Sequence, residues 1–294
     1  MVGPPTTTMT PPTATPLDHG LIRLDVAGQV VDAVSIGGIE TCFQVPAFDV
    51  CLDIGRCPPG AVQRSTLLLT HGHIDHAAGL PYWVSMRAMY HRSPTRVALP
   101  RAALGPLSRI LEAWTELQTD TDRVELLPLE PGDTLRLHNG YARTFASPHR
   151  IACLGYTLYR QVSRLRPELR GLPPEEIGAR KRAGEVVHET EERAELCFPG
   201  DTRIEVLERE PSVRAARVLL LECTFMGKDP SPERAREGGH VHLDHIAERA
   251  ELFQNEIVVL THFSRRYSSD EIRAELARRL PPSLLARVVP LLHA

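Results

Sequence analysis

Short apolar runs separated by glycine turns make up the first part of the chain. Such runs occupy residues 21–26, 30–36, 41–45 and 50–54, and the last two flank a four-residue connection at 46–49. Runs of this length, bounded by turn residues, are typical of β-strands. The pattern therefore predicts a β-rich start that includes a hairpin-like connection.

Farther along, strand-like runs alternate with segments of helical period. Residues 65–70 are apolar and short enough for a buried strand, while residues 79–90 and 101–118 follow the helical repeat. A second set of short apolar runs follows in the middle of the chain, and later helices are predicted at 243–254 and 269–280. Two β-rich halves, each followed by strand–helix units, predict an α/β fold built as a four-layer αβ/βα sandwich.

The start of the chain differs from the rest in composition. Its first sixteen residues are rich in Pro and Thr and lack the basic and apolar regions of a signal peptide. We expect residues 1–17 to form a disordered tail and residues 18–294 to form a single domain. No apolar run approaches the roughly 18–20 residues that cross a bilayer, and the six cysteines form no C-x-x-C pair. These features predict a cytoplasmic protein without a membrane partner.

Charge is close to balanced, with one local exception. The formal net charge of −3 gives no general attraction to nucleic acid or to an anionic membrane. Between residues 160 and 182, however, seven basic side chains accompany three acidic ones. The basic side chains include Arg164, Arg166 and Arg170, in a loop predicted at about 160–190. This loop could bind a polyanion or could be an ordinary solvated surface, and charge alone leaves both interpretations open.

The apolar run at 65–70 leads directly into the sequence His-Gly-His-Ile-Asp-His at 71–76. A strand that ends in such residues places them at the carboxyl edge of a sheet, where open α/β sheets have their sites. His71 and His73 are two apart in extended chain and point the same way, whereas Asp75 and His76 follow a bend. Imidazole and carboxylate suit zinc, iron or manganese. The hexapeptide therefore predicts a metal site rather than a polar loop that happens to be rich in histidine.

Three more candidate ligands each follow a predicted strand in the second half of the chain. They are His149, Asp201 and His262. Gly200 precedes the aspartate and allows the tight turn that would present its carboxylate. Singly, each would be an ordinary turn or surface residue, but together with the hexapeptide they complete two metal sites.

These residues, in this order, resemble the metallo-β-lactamase superfamily and, more narrowly, its short-form ribonuclease Z (tRNase Z) family of the plant type. The motifs run from about residue 35 to residue 267 and are SIGGIET at 35–41, DIGRCP at 53–58, HGHIDH at 71–76, GLP at 79–81, FPGDTR at 198–203, ECT at 222–224, GHVHLD at 239–244 and HFSRRY at 262–267. The resemblance implies the metallo-β-lactamase sandwich and an endonuclease that removes the 3′ trailer from precursor tRNA.

The resemblance also implies a set of metal ligands and two catalytic groups. Its two zinc ions, or manganese or iron in their place, would be held by His71, His73 and His149, by Asp75, His76 and His262, and by Asp201 as a bridge. Asp75 would also accept the proton of the attacking water. His240, held and charged by Glu222, would donate a proton to the leaving 3′ oxygen.

Residues near these motifs have less specific expectations. Ser264, Arg266 and Tyr267 would shape the floor of the site or contact phosphate, which Arg binds bidentately. His242 and His245 are either polar residues at the start of a helix or direct participants, and the sequence leaves both alternatives open. The family also implies a homodimer.

Three functions are compatible with these observations. The first is a zinc-dependent endoribonuclease for precursor tRNA, whose substrate would be gripped by Arg164, Arg166 and Arg170. The second is a related hydrolase of a small phosphodiester or another ester, because the interval between His149 and Asp201 is short for the tRNA-gripping arm of bacterial relatives. The third is a non-catalytic binding protein, against which the complete ligand set argues. We expect the first.

Overall fold

Two β-sheets form the centre of the computed structural model, which describes residues 12–118 and 124–293. Within that part of the chain, the first sheet has eight strands in chain order: β1 (Thr13–Pro16), β2 (Ile22–Val26), β3 (Gln29–Ile36), β4 (Glu40–Val45), β5 (Val50–Leu52), β6 (Thr66–Leu68), β7 (Arg96–Pro100) and β8 (Glu125–Leu129). The second has seven strands: β9 (Thr134–Leu137), β10 (Gly140–Ala146), β11 (Leu154–Leu165), β12 (His188–Phe198), β13 (Val218–Glu222), β14 (Ile257–Thr261) and β15 (Val288–Pro290).

Each sheet begins antiparallel and becomes parallel. Strands β1 to β5 are antiparallel and β5 to β8 are parallel. In the same way, β9 to β12 are antiparallel and β12 to β15 are parallel. Because parallel strands run in one direction, their carboxyl ends share an edge, where following loops can bring side chains together.

Helices pack on the outer faces of both sheets, apart from the helix Pro174–Arg182, which lies between the outer ends of β11 and β12. In chain order they are α1 (Ile74–Ala77), α2 (Leu80–Met89), α3 (Leu104–Glu116), α4 (Pro174–Arg182), α5 (Val206–Arg209), α6 (Pro211–Ala215), α7 (Pro232–Gly238), α8 (Leu243–Glu248), α9 (Ser269–Arg279) and α10 (Pro282–Leu285). On the first sheet, Leu80 and Trp83 of α2 pack against Leu67. On the second, Ile272 of α9 packs in one cluster with Leu219. No helix among the described residues combines the length and apolar character needed to span a bilayer.

The inner faces of the two sheets pack against each other and form the central core. Phe43 of β4 and Phe198 of β12 meet there with ring centroids 5.0 Å apart. The layers are therefore helix, sheet, sheet and helix, which confirms the predicted four-layer sandwich. Because one apolar core joins both sheets, we propose that residues 18–294 fold as a single domain.

The prediction that residues 1–17 form a disordered tail is wrong for residues 13–16. Thr13–Pro16 forms an edge strand that pairs antiparallel with residues 22–25, although all four of its side chains are exposed. β-branched threonines suit extended backbone, and proline is tolerated on an edge strand. Residues 1–11 lie outside the described part of the chain.

The loop predicted at about 160–190 is instead a β-hairpin with a helix at its tip. Strands β11 and β12 remain paired from Tyr159 and Ala194 out to Leu165 and His188, and α4 lies between them. We call residues 159–194 the arm. Most side chains on its return strand are exposed, so the arm lacks the apolar alternation by which half-buried strands are predicted.

The return strand of the arm also changes its charge balance. Arg164 pairs with Glu191 and Arg166 with Glu168, both at 2.9 Å. Between residues 160 and 193 there are eight basic and seven acidic side chains, so the basic excess at 160–182 is largely cancelled. At the tip, three cations make no ion pair with a described residue: Arg170, Lys181 and Arg182.

Close backbone packing holds the hexapeptide against the loop that follows β5. The N–H groups of Ile54 and Gly55 donate to the carbonyl oxygen of His76 at 2.9 and 3.1 Å. At the start of α2, an added Cβ on Gly79 would lie 2.5 Å from the backbone nitrogen of Cys57. Only glycine at this position therefore permits the observed contact between helix and loop.

Replacing Gly79 with alanine should lower the free energy of unfolding by about 1–3 kcal/mol, because backbone atoms cannot rotate away from the new methyl group. Gly72→Ala is the matched control, since its Cβ would meet nothing within 4 Å. We expect the control to change the free energy of unfolding by less than about 0.5 kcal/mol. Denaturant unfolding of both variants is the measurement, and equal effects would contradict the close approach at Gly79.

Candidate metal centre

All seven predicted metal ligands lie at the shared carboxyl edge of the sheets. His71 and His73 follow β6, and Asp75 and His76 lie on α1. The other three, His149, Asp201 and His262, follow β10, β12 and β14 in that order. Apart from His73 and His149, which are partly exposed, these side chains are buried. The fold thus brings together residues that are as far apart in sequence as 71 and 262.

One set of donor atoms comes from three histidines and an aspartate. His71 Nε2 and His149 Nε2 lie 3.0 and 3.3 Å from His73 Nδ1. Asp201 Oδ2 lies 3.8 Å from His71 Nε2. Ligands of a tetrahedral zinc ion, each 2.0–2.1 Å from the metal, lie about 3.3–3.4 Å from one another. The first set therefore has the dimensions of a zinc site.

A second set lies beside the first and shares the aspartate. His76 Nε2 and His262 Nε2 are 3.5 and 3.3 Å from Asp75 Oδ2. The same two nitrogens are 3.3 and 3.4 Å from Asp201 Oδ1. These distances again match a tetrahedral ligand shell. Asp201 therefore presents one carboxylate oxygen to each set.

The buried nitrogen of His76 supports this fit. Its Nε2 atom is buried and makes no hydrogen bond with the described residues. Buried polar atoms are normally paired. An unpaired nitrogen that lies among Asp75, Asp201 and His262 is therefore expected if these side chains bind an ion. The residues present therefore fit a metal at this position.

Electrostatics set the ligands close to the protonation states that a metal requires. Burial and the neighbouring His76 hold the pKa of His71 well below its usual value, so that imidazole is neutral. Burial raises the pKa of Asp201, but His262 and His76 outweigh it and hold the pKa well below its usual value. For His76, burial is outweighed by Asp201 and Asp53, which raise its pKa well above the usual value. Metal binding must therefore displace a proton from His76.

A buried carboxylate that the sequence analysis gave no role orients the second set. Asp53, fully buried after β5, accepts from His76 Nδ1 at 2.7 Å and from the backbone N–H and hydroxyl of Thr70 at 2.7 and 2.8 Å. The sequence indicates this role only by placing a carboxylate within the apolar run 50–54, because an acidic side chain in a buried strand requires partners.

The predicted catalytic pair lies against the two donor sets. His240 Nδ1 donates to Glu222 Oε1 at 3.1 Å, and its ring stacks on that of His262 at 5.8 Å. Its Nδ1 atom is also 3.8 Å from Asp201 Oδ2. Burial lowers the pKa of His240, but Glu222 and Asp201 outweigh it and raise the pKa to about 9. His240 is therefore protonated at neutral pH and can donate a proton.

The predicted substrate-contacting residues near His262 have different environments. Ser264 forms an isolated β-bridge with Gly37, and Arg266 is exposed. The phenol oxygen of Tyr267 accepts backbone N–H groups of residues 226 and 227 at 3.3 and 3.1 Å. Tyr267 therefore holds a loop, which favours a role in shaping the site over direct phosphate contact.

The structure answers the question left open for His242 and His245. His242 Nδ1 accepts from the N–H of Asp244 at 3.1 Å, and its Nε2 donates to the Gly227 carbonyl at 2.8 Å. His245 Nδ1 accepts from the N–H of His242 at 3.2 Å. Both imidazoles thus cap α8, and neither belongs to the two donor sets.

Substituting Gly239 should weaken metal binding through His149. Gly239, at φ 85°, accepts from His149 Nδ1 at 2.9 Å, and an added Cβ would lie 2.8 Å from that nitrogen. Gly184 has the same φ of 85° with nothing within 4 Å of its Cβ, so G184A carries the same backbone strain without the contact. We expect zinc affinity to fall about tenfold or more in G239A, by displacement of a supported ligand, and to stay unchanged in G184A. Competition with a chromophoric chelator measures this, and equal affinities would contradict it.

Comparison with known proteins agrees with this geometry. A model of the β-lactamase superfamily domain matches residues 55–263. The chain is 35% identical to the chloroplastic tRNase Z TRZ2 of Arabidopsis thaliana, over 91% of this chain and 76% of the relative. It is 32% identical to tRNase Z TRZ1 of the same plant, over 91% of this chain and 96% of the relative.

A solved structure provides independent support for the fold alone. The metallo-β-lactamase fold protein YhfI from Bacillus subtilis aligns with 87% of this chain and 92% of its own, with a TM-score of 0.58 at 14% identity. The sheet order, the shared donor sets and the plant relatives agree with one another. The chain belongs to the β-lactamase superfamily and, within it, to the ribonuclease Z (tRNase Z) family.

Proposed function

We propose that this chain is a metal-dependent endoribonuclease that removes 3′ trailers from precursor tRNA. The observation that carries the proposal is the pair of donor sets that share Asp201, with His240 and Glu222 beside them. The similarity to relatives named tRNase Z, which extends over 91% of this chain, supports tRNA as the substrate. These parts are the ones that metal-assisted hydrolysis of a phosphodiester requires.

The donor sets suggest two zinc ions. We assign His71, His73 and His149 to one ion, Asp75, His76 and His262 to the other, and Asp201 to both. When bound, two such ions activate water at neutral pH and neutralise charge on the phosphodiester. The same nitrogen and oxygen donors accept manganese or iron, so elemental analysis of the purified protein is needed to identify the metal.

Two side chains of the chain would handle protons. Burial raises the pKa of Asp75, but the adjacent rings of His262 and His76 outweigh it and hold the pKa well below its usual range. The ionised carboxylate accepts the proton of the attacking water. On the other side, Glu222 holds His240 as an imidazolium through its Nδ1 proton, and His240 Nε2 donates a proton to the leaving 3′ oxygen.

The arm would bind the RNA away from the two donor sets, and the cations at its tip are the best placed to do so. Arg164 and Arg166 are already paired with carboxylates, whereas Arg170, Lys181 and Arg182 are exposed and make no ion pair with a described residue. Binding of phosphates by unpaired cations releases counterions and weakens as salt increases. We therefore assign the grip to the tip, with smaller contributions from Arg164 and Arg166.

A homodimer is part of the proposal. The neighbouring helices α2 and α3 expose large apolar side chains that a second copy would cover, including Tyr82, Met89 and Trp114. Exposed apolar patches of this kind mark interaction surfaces. Light scattering of the purified protein tests the dimer. The cytoplasmic location stays a prediction.

The purified protein with zinc or manganese should cut a 3′-extended precursor tRNA once, just after the discriminator base. His73→Ala removes a donor of the first set and should reduce the rate to about 1% or less, because both metals stabilise the charge that develops on the phosphodiester. His138→Ala, an exposed histidine in a turn, is the matched control and should cut normally. Intact RNA together with hydrolysis of bis-p-nitrophenyl phosphate would leave the metal chemistry standing and remove tRNA as the substrate.

Reversing the charges at the arm tip should raise the KM for precursor tRNA about tenfold and reduce the salt dependence of binding, because fewer counterions are released. The variant is R170E with K181E and R182E. The comparison variant R164E with R166E changes cations that already have carboxylate partners, and we expect a smaller effect. Steady-state kinetics on RNA and on bis-p-nitrophenyl phosphate measures both, and the small substrate should be unaffected. Equal KM changes for both substrates would contradict a grip by the arm.

A further inference from the structure

A buried threonine behind the first donor set connects a carboxylate to a histidine. Thr70 Oγ1 lies 2.8 Å from Asp53 Oδ2 and 2.9 Å from His71 Nδ1. Its backbone N–H also donates to Asp53 Oδ1 at 2.7 Å. All three side chains are fully buried, so water does not provide alternative partners for these polar atoms.

A second threonine makes the same arrangement on the other sheet. Thr224 Oγ1 donates a short hydrogen bond to Glu222 Oε2 and lies 2.9 Å from His262 Nδ1. Glu222 also accepts backbone N–H groups from Thr202 at 2.8 Å and from Val241 at 3.2 Å. Thr70 follows β6 and Thr224 follows β13, so each sheet supplies one copy of the arrangement.

The hydroxyl proton of each threonine decides the direction of its hydrogen bonds. A hydroxyl has one proton, and an ionised carboxylate can only accept. The proton of Thr70 therefore points to Asp53, and its oxygen is left to accept from His71. The Nδ1 atom of His71 must then carry a proton. Without that proton, the buried nitrogen would face another acceptor and would be left unpaired, at a cost of about 1–3 kcal/mol. The same reasoning places a proton on Nδ1 of His262.

The other ring nitrogen of each histidine faces the donor sets. His71 Nε2 lies 3.0 Å from His73 Nδ1, in the first set. His262 Nε2 lies 3.3 Å from Asp75 Oδ2 and 3.4 Å from Asp201 Oδ1, in the second. In a neutral imidazole, a proton on Nδ1 places the lone pair on Nε2, which is the atom that a metal would bind.

Each carboxylate also holds another histidine directly. Asp53 accepts from His76 Nδ1 at 2.7 Å, and Glu222 accepts from His240 Nδ1 at 3.1 Å. Asp53 thus supports one ligand of each donor set, through Thr70 for His71 and directly for His76. A ligand whose far nitrogen is fixed in this way cannot rotate or exchange tautomers without breaking a buried hydrogen bond.

We propose that Thr70 and Thr224 are positioning residues that fix the tautomers of His71 and His262, so that each sheet presents an Nε2 lone pair to a metal. The assignment of the lone pairs to metal binding rests on the proposed function. The tautomers themselves follow from the hydrogen bonds and do not depend on what the protein cleaves.

The variants T70V and T224V keep the shape of the side chain and remove its hydroxyl, while T70S and T224S keep the hydroxyl. T144V is the matched control, since Thr144 is a buried threonine whose hydroxyl donates to the Glu130 carbonyl, outside the donor sets. We expect zinc affinity to fall about 10- to 100-fold in the valine variants and to remain near that of the unmodified protein in the serine variants and in T144V. Chelator competition measures the affinity without any RNA substrate.

Nitrogen-15 NMR of the metal-free protein provides a second readout. In the unmodified protein, the ring of His71 should carry its proton on Nδ1, and in T70V the Nε2–H form should become populated. A proton on Nε2 of His71 in the unmodified protein would overturn the proposal, even if the valine variants failed to fold. Unchanged zinc affinity in folded T70V and T224V would also overturn it. Zinc binding with these properties but without tRNA cleavage would instead overturn the proposed function alone.

Discussion

The buried carboxylate of Asp201 is the interaction on which the site depends. It is only 2% exposed, and its two oxygens face His71 on one side and His76 and His262 on the other. A carboxylate removed from water is unfavourable unless positive charge or hydrogen-bond donors surround it. Because Asp201 follows a strand of the second sheet and its partners come from both, the sheets must meet in one arrangement for this charge to be compensated. The close packing of the central core maintains that arrangement.

The residues behind the donor atoms follow the same requirement. Asp53 and Glu222 are themselves buried carboxylates, and each is satisfied by a threonine hydroxyl, an imidazole and one (Asp53) or two (Glu222) backbone N–H groups. Such partners hold the rings from behind, so the donor atoms are in place before an ion binds. His240 benefits in addition, because the carboxylate that holds it also keeps it protonated near the place where a leaving group would depart.

The arm is stabilised in a different way from the rest of the fold. A two-stranded ribbon that faces water on both sides is marginal alone, and here it is a continuation of strands whose inner ends lie in the core, where Tyr156 pairs with Phe198. Cross-strand ion pairs such as Arg164 with Glu191 keep the arm nearly neutral along its length. Exposed pairs of this kind contribute little stability. Their effect is instead to leave unpaired positive charge at the tip and at Arg160 in the base of the arm, whose guanidinium lies over the ring of Phe48.

The sequence by itself determined the sandwich, the identity of the clustered donors and the order of the elements apart from the strand at 13–16 and the arm. Those features depend on local information: apolar periodicity, and a hexapeptide at 71–76 whose side chains share a strand end. The pairing of Asp53 with His76, the capping by His242 and His245 and the hairpin arm were decided only by the tertiary structure. Asp53 in an apolar run shows that a partner is needed but not which one, and His242 has the same chemistry whether it caps a helix or binds a metal. Contacts between distant segments, such as Asp201 with His76, form only when the two sheets pack, because no short-range pattern encodes their register.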